Sequence, residues 1–202
     1  MEKALLSHIK DNLGLYLTVT LFFVGGIVTG TLVIQFLDRQ HVIQLADYLD
    51  NIFKQFDGTT PELNKVVYQA LINSIKETGL VWFLGLTVVG IPLIVAIIFL
   101  KGFVLGFTVG FIIEQKAFQG VAFSLLTILP PNLIQIPALF VATILSISFS
   151  LGLLRGNIQT ALWQRFFAYS IYMFFITLVL VGGGMVEAYL SPVFARVVLN
   201  YF

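Results

Sequence analysis

The sequence predicts an all-α polytopic membrane protein of about five transmembrane helices, with one broken or re-entrant segment. Three observations lead there. Between Gly79 and Leu154 only Lys101, Glu114 and Lys116 carry charge, and a soluble domain holding that stretch would have an oily surface. Overall, 58% of residues are hydrophobic and 10% charged, against about 25% charged in ordinary globular domains. The apolar runs are also interrupted by charges, glycines and prolines at spacings that suit spans of about 20 residues.

The same composition excludes several functions. A chain of 202 residues has no room beside such a bundle for a soluble catalytic domain of about 100 residues. A net charge of +1 argues against nucleic acid as a partner, because phosphate binding needs a concentrated basic surface. Cysteine is absent, which removes disulfides, thiolate metal sites and cysteine nucleophiles together.

The elements follow in order. The first span covers residues 13–37. Its uncharged run is too long for a cleaved signal peptide, so it is read as a retained span. Lys3, His8 and Lys10 precede it, and the slightly acidic stretch 38–78 follows. That asymmetry puts the N-terminus in the cytoplasm and the polar stretch outside. Within it Val42, Leu45, Ala46, Leu49, Ile52, Phe53 and Phe56 recur at helical spacing, forming one apolar face. Asp57-Gly58 ends that helix, and Thr60-Pro61 starts a second one carrying Leu63, Val66, Val67, Ala70 and Leu71. The amphipathic pair either packs on the bundle or lipid, or receives a partner at Leu49, Ile52, Phe53 and Phe56.

A second span is expected over 79–100, returning inside at Lys101. A short third span, 102–116, then emerges at Glu114-Gln115-Lys116. Residues 117–130 read as a re-entrant dip ended by Pro130, Pro131 and Asn132, since paired prolines stop a helix. The alternative is one long broken helix with the charged pair part-buried. Spans 133–154 and 166–186 complete the bundle, joined inside by Arg155 and Arg165, and the C-terminus lies outside.

Small residues suggest where helices meet. Gly102, Gly106 and Gly110 form one stripe four residues apart, and Ala138, Ala142, Ser146 and Ser150 form another. In lipid such stripes let backbones approach closely. Intramolecular packing is the first reading, and a homo-oligomer or partner contact is the alternative. Gly26-x-x-x-Gly30 and Gly152-x-x-x-Gly156 are weaker instances, and Gly182-Gly183-Gly184 is expected to loosen its helix.

No chemistry stands out. The two histidines, His8 and His41, flank the first span on opposite sides and share no site. No metalloprotease, nucleophile-elbow, phosphate-loop or dinucleotide pattern occurs. No metal or cofactor is expected. Charges in bundles and broken helices also mark transporters, so a small transporter or permease-like subunit is the competing reading.

Specific strings carry a resemblance. Gly79-Leu-Val-Trp-Phe-Leu-Gly, Phe99-Leu-Lys-Gly-Phe-Val-Leu-Gly-Phe-Thr-Val-Gly-Phe111, Leu129-Pro-Pro-Asn-Leu-Ile-Gln-Ile-Pro-Ala138 and Glu187-Ala-Tyr-Leu-Ser-Pro192 resemble the stage II sporulation protein M family along nearly the whole chain. Broader relatives carry a histidine-glycine after the first proline and a glutamate at Gln135, whereas this chain has Pro131-Asn132 and Gln135. The resemblance implies a non-catalytic scaffold in the mother-cell septal and engulfing membrane of endospore-forming bacteria. It implies two partners, the wall hydrolases stage II sporulation proteins P and D, during forespore engulfment.

Overall fold

Leu13–Ile34 forms α1, 22 residues that rise about 33 Å, enough to cross a bilayer core of about 30 Å. Three of its four threonines satisfy themselves. Thr18, Thr29 and Thr31 donate to the carbonyls of Gly14, Gly25 and Ile27, each one helical turn back, so no hydroxyl among them faces hydrocarbon unpaired. The computed structural model describes residues 13–58, 63–154 and 162–201. The N-terminal basic segment, Thr60-Pro61, Arg155 and Gly156 lie outside the described residues, as do the side chains of Ile52, Phe53, Phe56 and Pro192. Among the described residues there is no strand, as the all-α prediction requires.

After a short turn, α2 (Arg39–Gly58) is the amphipathic helix. The next helix departs from expectation. α3 runs unbroken from Leu63 to Gly85, so the polar residues up to Thr78 belong to a bundle helix. The run 79–100 is not one helix, because residues 86–89 turn between α3 and α4 (Gly90–Phe123). A turn at that depth must satisfy its carbonyls. Thr87 accepts from the amide of Gly90, Leu84 accepts from Thr87, and side chains of neighbouring helices supply further donors.

α4 bends sharply at Ala117, whose φ of 45° and ψ of −120° are non-helical. The chain doubles back there. A Cβ on Gly120 would overlap the carbonyl of Ile112, eight residues earlier, which a straight helix would hold about 12 Å away. The first limb, 90–116, is therefore a full span, and the short 102–116 run was only its second half.

From 118 the path is helical to 154, through a π-helical turn, Ser124–Ile128, into α5 (Leu129–Leu154). Pro130, Pro131 and Asn132 thus lie inside a continuous helix, and the reversal expected there sits at Ala117 instead. The physical reason is local. The wider π turn relieves the ring clash that two prolines impose on the preceding carbonyls. The Asn132 side-chain amide donates to the Ile128 carbonyl at 2.7 Å, replacing part of the lost ladder. α6 (Leu162–Tyr201) closes the structure and stays helical through Gly182-Gly183-Gly184. Those glycines do not loosen it: Gly183 abuts Gln135 of α5, and Gly184 abuts Ser74 and Ala70 of α3.

Contacts fix the directions. Gly26 lies on Phe99 and Phe103, and Gly30 on Phe103 and Phe107, so α1 and the first limb of α4 run parallel. α3 meets α6 at Ser74–Leu180 and at Trp82–Tyr169, which makes them antiparallel. α5 opposes α6 from Gln135–Glu187 to Ser146–Tyr169. Hence α1, α4 and α6 point one way, and α3 and α5 the other. The core between them is built on Val19, Val81, Ile94, Ile98, Leu139 and Ile144.

Candidate functional site

The feature with most chemistry is an ion pair in the middle of the bundle. Lys101 Nζ lies 2.9 Å from Glu77 Oε1 and donates to Oε2 at 3.0 Å. Lys101 is eleven residues past the start of α4, about 16 Å, and Glu114 lies about 20 Å further on. Lys101 is therefore not a span end that snorkels to the interface. It sits midway along the first limb of α4, and a lone charge midway along a membrane span would cost about 2.5–3.5 kcal/mol on insertion scales. Glu77, from the stretch expected outside, is carried to the same level by α3. The two side chains are 29% and 22% exposed, so the pair lies at the bundle surface between α3 and α4.

The predicted packing stripes are brought together as follows. A Cβ on Gly102 would overlap the Phe23 carbonyl, and one on Gly106 the Ile27 carbonyl, while Gly110 faces Ile34 and Thr31. The three glycines thus face α1, with Gly26 and Gly30 opposite. Thr31 Oγ1 also reaches the Gly106 carbonyl at 3.3 Å. In the second stripe Ala142, Ser146 and Ser150 are buried and Ala138 is half-buried. Ser146 pairs with the Tyr169 hydroxyl at 2.8 Å, and that hydroxyl donates to the Trp82 carbonyl at 3.0 Å. Ser150 donates to the Thr87 carbonyl at 2.8 Å. These donors cap the C-terminal end of α3, whose last carbonyls have no helical partner. Gly85 stands beside Tyr169 and Ser146 with no space for a side chain.

Of the expected docking residues, Leu49 packs on Ile112 and Phe123 near the Ala117 reversal. The apolar face of α2 is turned inward at Val42, Leu45, Ala46 and Leu49, so this part of it rests on the bundle. His41 is exposed, and no cluster of metal-binding side chains occurs among the described residues. Glu114 is exposed near the reversal. Gln135 donates to Glu187 at 2.8 Å.

Aromatic residues mark both ends. Trp163, 74% exposed, packs on Phe166 and Phe167 beside Arg165, while Tyr68 and Tyr189 are exposed towards the other end. Such belts sit at membrane interfaces. A crevice of about 270 Å³ opens between α5 and α6 at the Trp163 end, lined by Leu145, Phe149, Gly152, Tyr172 and Arg165.

Sequence reasoning missed the Glu77–Lys101 pair. One signal was available: Glu77 and Lys101 sit on either side of a run whose Thr87 and Gly90 mark a turn, which would fold them against each other.

Fold and site define the class as an all-α integral membrane protein whose helices meet through glycine stripes and an interhelical ion pair. The family model described as stage II sporulation protein M matches residues 19–192, and the chain belongs to that family. It is thus a sporulation-related membrane protein. No curated protein and no solved structure matches it.

Proposed function

We propose that the protein is a non-catalytic membrane scaffold that localises and assembles septal peptidoglycan hydrolases during forespore engulfment. The family match over residues 19–192 carries this reading, because it spans all the bundle helices rather than one motif. The partners proposed are stage II sporulation proteins P and D. The orientation proposed keeps the expectation from sequence, with Arg165, at the start of α6, on the cytoplasmic side. The chain then crosses five times, with α2, the Ala117 reversal and the C-terminus outside, where cell-wall substrate lies. Leu49 is engaged within the chain, and the outer parts of the partners are proposed to dock at Ile52, Phe53 and Phe56.

The test is affinity purification of the full chain from sporulating cells. Proteins P and D are expected to co-elute, and replacing Ile52, Phe53 and Phe56 by serine is expected to release them while the bundle stays folded. A wild-type chain that brings down neither hydrolase would sink the proposal.

The Glu77–Lys101 pair favours a second reading, a small transporter, since intramembrane charges often line substrate paths. A Glu77→Gln, Lys101→Met double variant separates the two. Normal engulfment in that variant speaks for the scaffold. Lost engulfment with fold and hydrolase binding intact speaks for transport.

A further inference from the structure

Next to the paired Glu77 stands a lysine that no described residue neutralises. Lys76 is exposed, and among the described residues it makes no ion pair or hydrogen bond. Side chains at adjacent helix positions diverge, and Glu77 is held on both oxygens by Lys101. The local balance at mid-depth is therefore one positive charge in excess. Lys76 also cannot escape. The level of the Glu77–Lys101 pair lies beside Gly26, eleven residues short of Leu37, about 16 Å below the end of the apolar run. A lysine stem reaches roughly 6 Å.

The charge is part of a polar stripe. Gln69, Asn73 and Lys76 are all exposed on α3, at spacings of four and three that align them along one side of the helix. Two amides and an ammonium facing acyl chains forgo their hydrogen bonds, which is costly in lipid. No described residue of the neighbouring helices covers them.

We propose that this side of α3 is the seat for a transmembrane helix of a partner protein that carries an aspartate or glutamate half-way through the bilayer. The proposal rests on the scaffold reading and names the membrane-embedded part of the contact. Charge complementarity selects the occupant. A second copy related by a two-fold axis along the membrane normal would set Lys76 against Lys76, like against like. The chain's own carboxylate at this depth, Glu77, is already taken. A partner carboxylate would turn an isolated charge into a pair, and its backbone or polar side chains could serve Asn73 and Gln69.

The experiment places a photo-crosslinking amino acid at position 73 of the full chain, with position 174 on α6 as the control. Both sites are exposed. Crosslinks formed in native membranes are mapped by peptide sequencing. The expected adduct from position 73 lies in another protein's transmembrane segment containing Asp or Glu, with none from position 174. Lys76→Leu should lower its yield at least tenfold, and Lys76→Arg should keep it. Lys76→Leu should also give at least wild-type amounts of folded protein, since leucine suits lipid better.

An adduct to a second copy, adducts to lipid alone, no adduct, or a yield unchanged by Lys76→Leu would each overturn the proposal. Failure here is distinct from failure of the scaffold reading. If Lys76→Leu still co-purifies proteins P and D at the wild-type level, only this seat is wrong. If the wild-type chain brings down neither, the scaffold reading itself is wrong.

Discussion

Replacing Lys101 by methionine removes one half of the mid-depth ion pair while keeping side-chain length. Glu77 then loses both contacts, at 2.9 and 3.0 Å. Breaking a buried pair by removing one partner costs about 3–5 kcal/mol. Because the two side chains are 29% and 22% exposed, the expected loss lies near the lower figure, about 3 kcal/mol. Removing both charges is another matter: a pair replaced by well-packed neutral residues is often neutral or stabilising. The Glu77→Gln, Lys101→Met double variant should therefore unfold within about 1 kcal/mol of wild type, leaving a coupling energy of about 2 kcal/mol or more. The assay is reversible unfolding in mixed micelles, followed by helical circular dichroism, for the four members of the cycle. Additive single and double effects would refute the embedded pair, and so would a Lys101→Met variant as stable as wild type.

Two further predictions use the same assay. Gly25 and Gly26 are neighbours with opposite surroundings: a Cβ on Gly25 meets nothing within 4 Å, and one on Gly26 overlaps the Phe99 carbonyl. Gly25→Ala should be neutral or stabilising by up to about 1 kcal/mol, whereas Gly26→Ala should destabilise by about 1–3 kcal/mol, because backbone cannot step aside. Equal effects at the two sites would remove the claim that α1 and α4 meet backbone to backbone. Ala117 holds a φ of 45° that glycine adopts freely, so Ala117→Gly should relieve strain of about 1–3 kcal/mol, less about 0.4–1 kcal/mol for the freer unfolded chain. A net loss of stability in that variant would contradict the reversal at this residue.

Much of this architecture was legible because lipid makes composition decisive. The apolar runs give α1, the limbs around Gly102–Gly110, α5 and α6, and the amphipathic period of residues 42–56 gives α2. The sequence misleads wherever a polar residue looks like a boundary. Glu77 and Lys101 each look like a span end, yet together they are the middle of two adjacent spans, because each charge is neutralised only by the other. Pro130-Pro131 looks like a stop, yet a π turn and the Asn132 amide let the helix continue. The true reversal, at Ala117, carries no turn residue, and the glycine that enables it is Gly120, where the returning helix touches Ile112. Pairing across helices is a tertiary fact, and single-residue signals do not encode it.

The geometry also bears on scaffold against transporter. Alternating access needs helices that can rock past one another between two packings. Here α1 and α4 meet through glycines lying directly on opposing carbonyls at Gly26, Gly30, Gly102 and Gly106, a contact with no side-chain layer to slide on. The turn at 86–89 is held from two sides by Tyr169 and Ser150. The sharpest irregularity, Ala117, is exposed at a bundle end rather than facing a second broken helix at mid-depth. Polar groups that a path would need, Gln69, Asn73 and Lys76, lie on the outer surface of the bundle instead of lining its interior. Close backbone packing between α1 and α4 and a polar stripe on the outside of α3 together weigh against conduction through the core of the bundle.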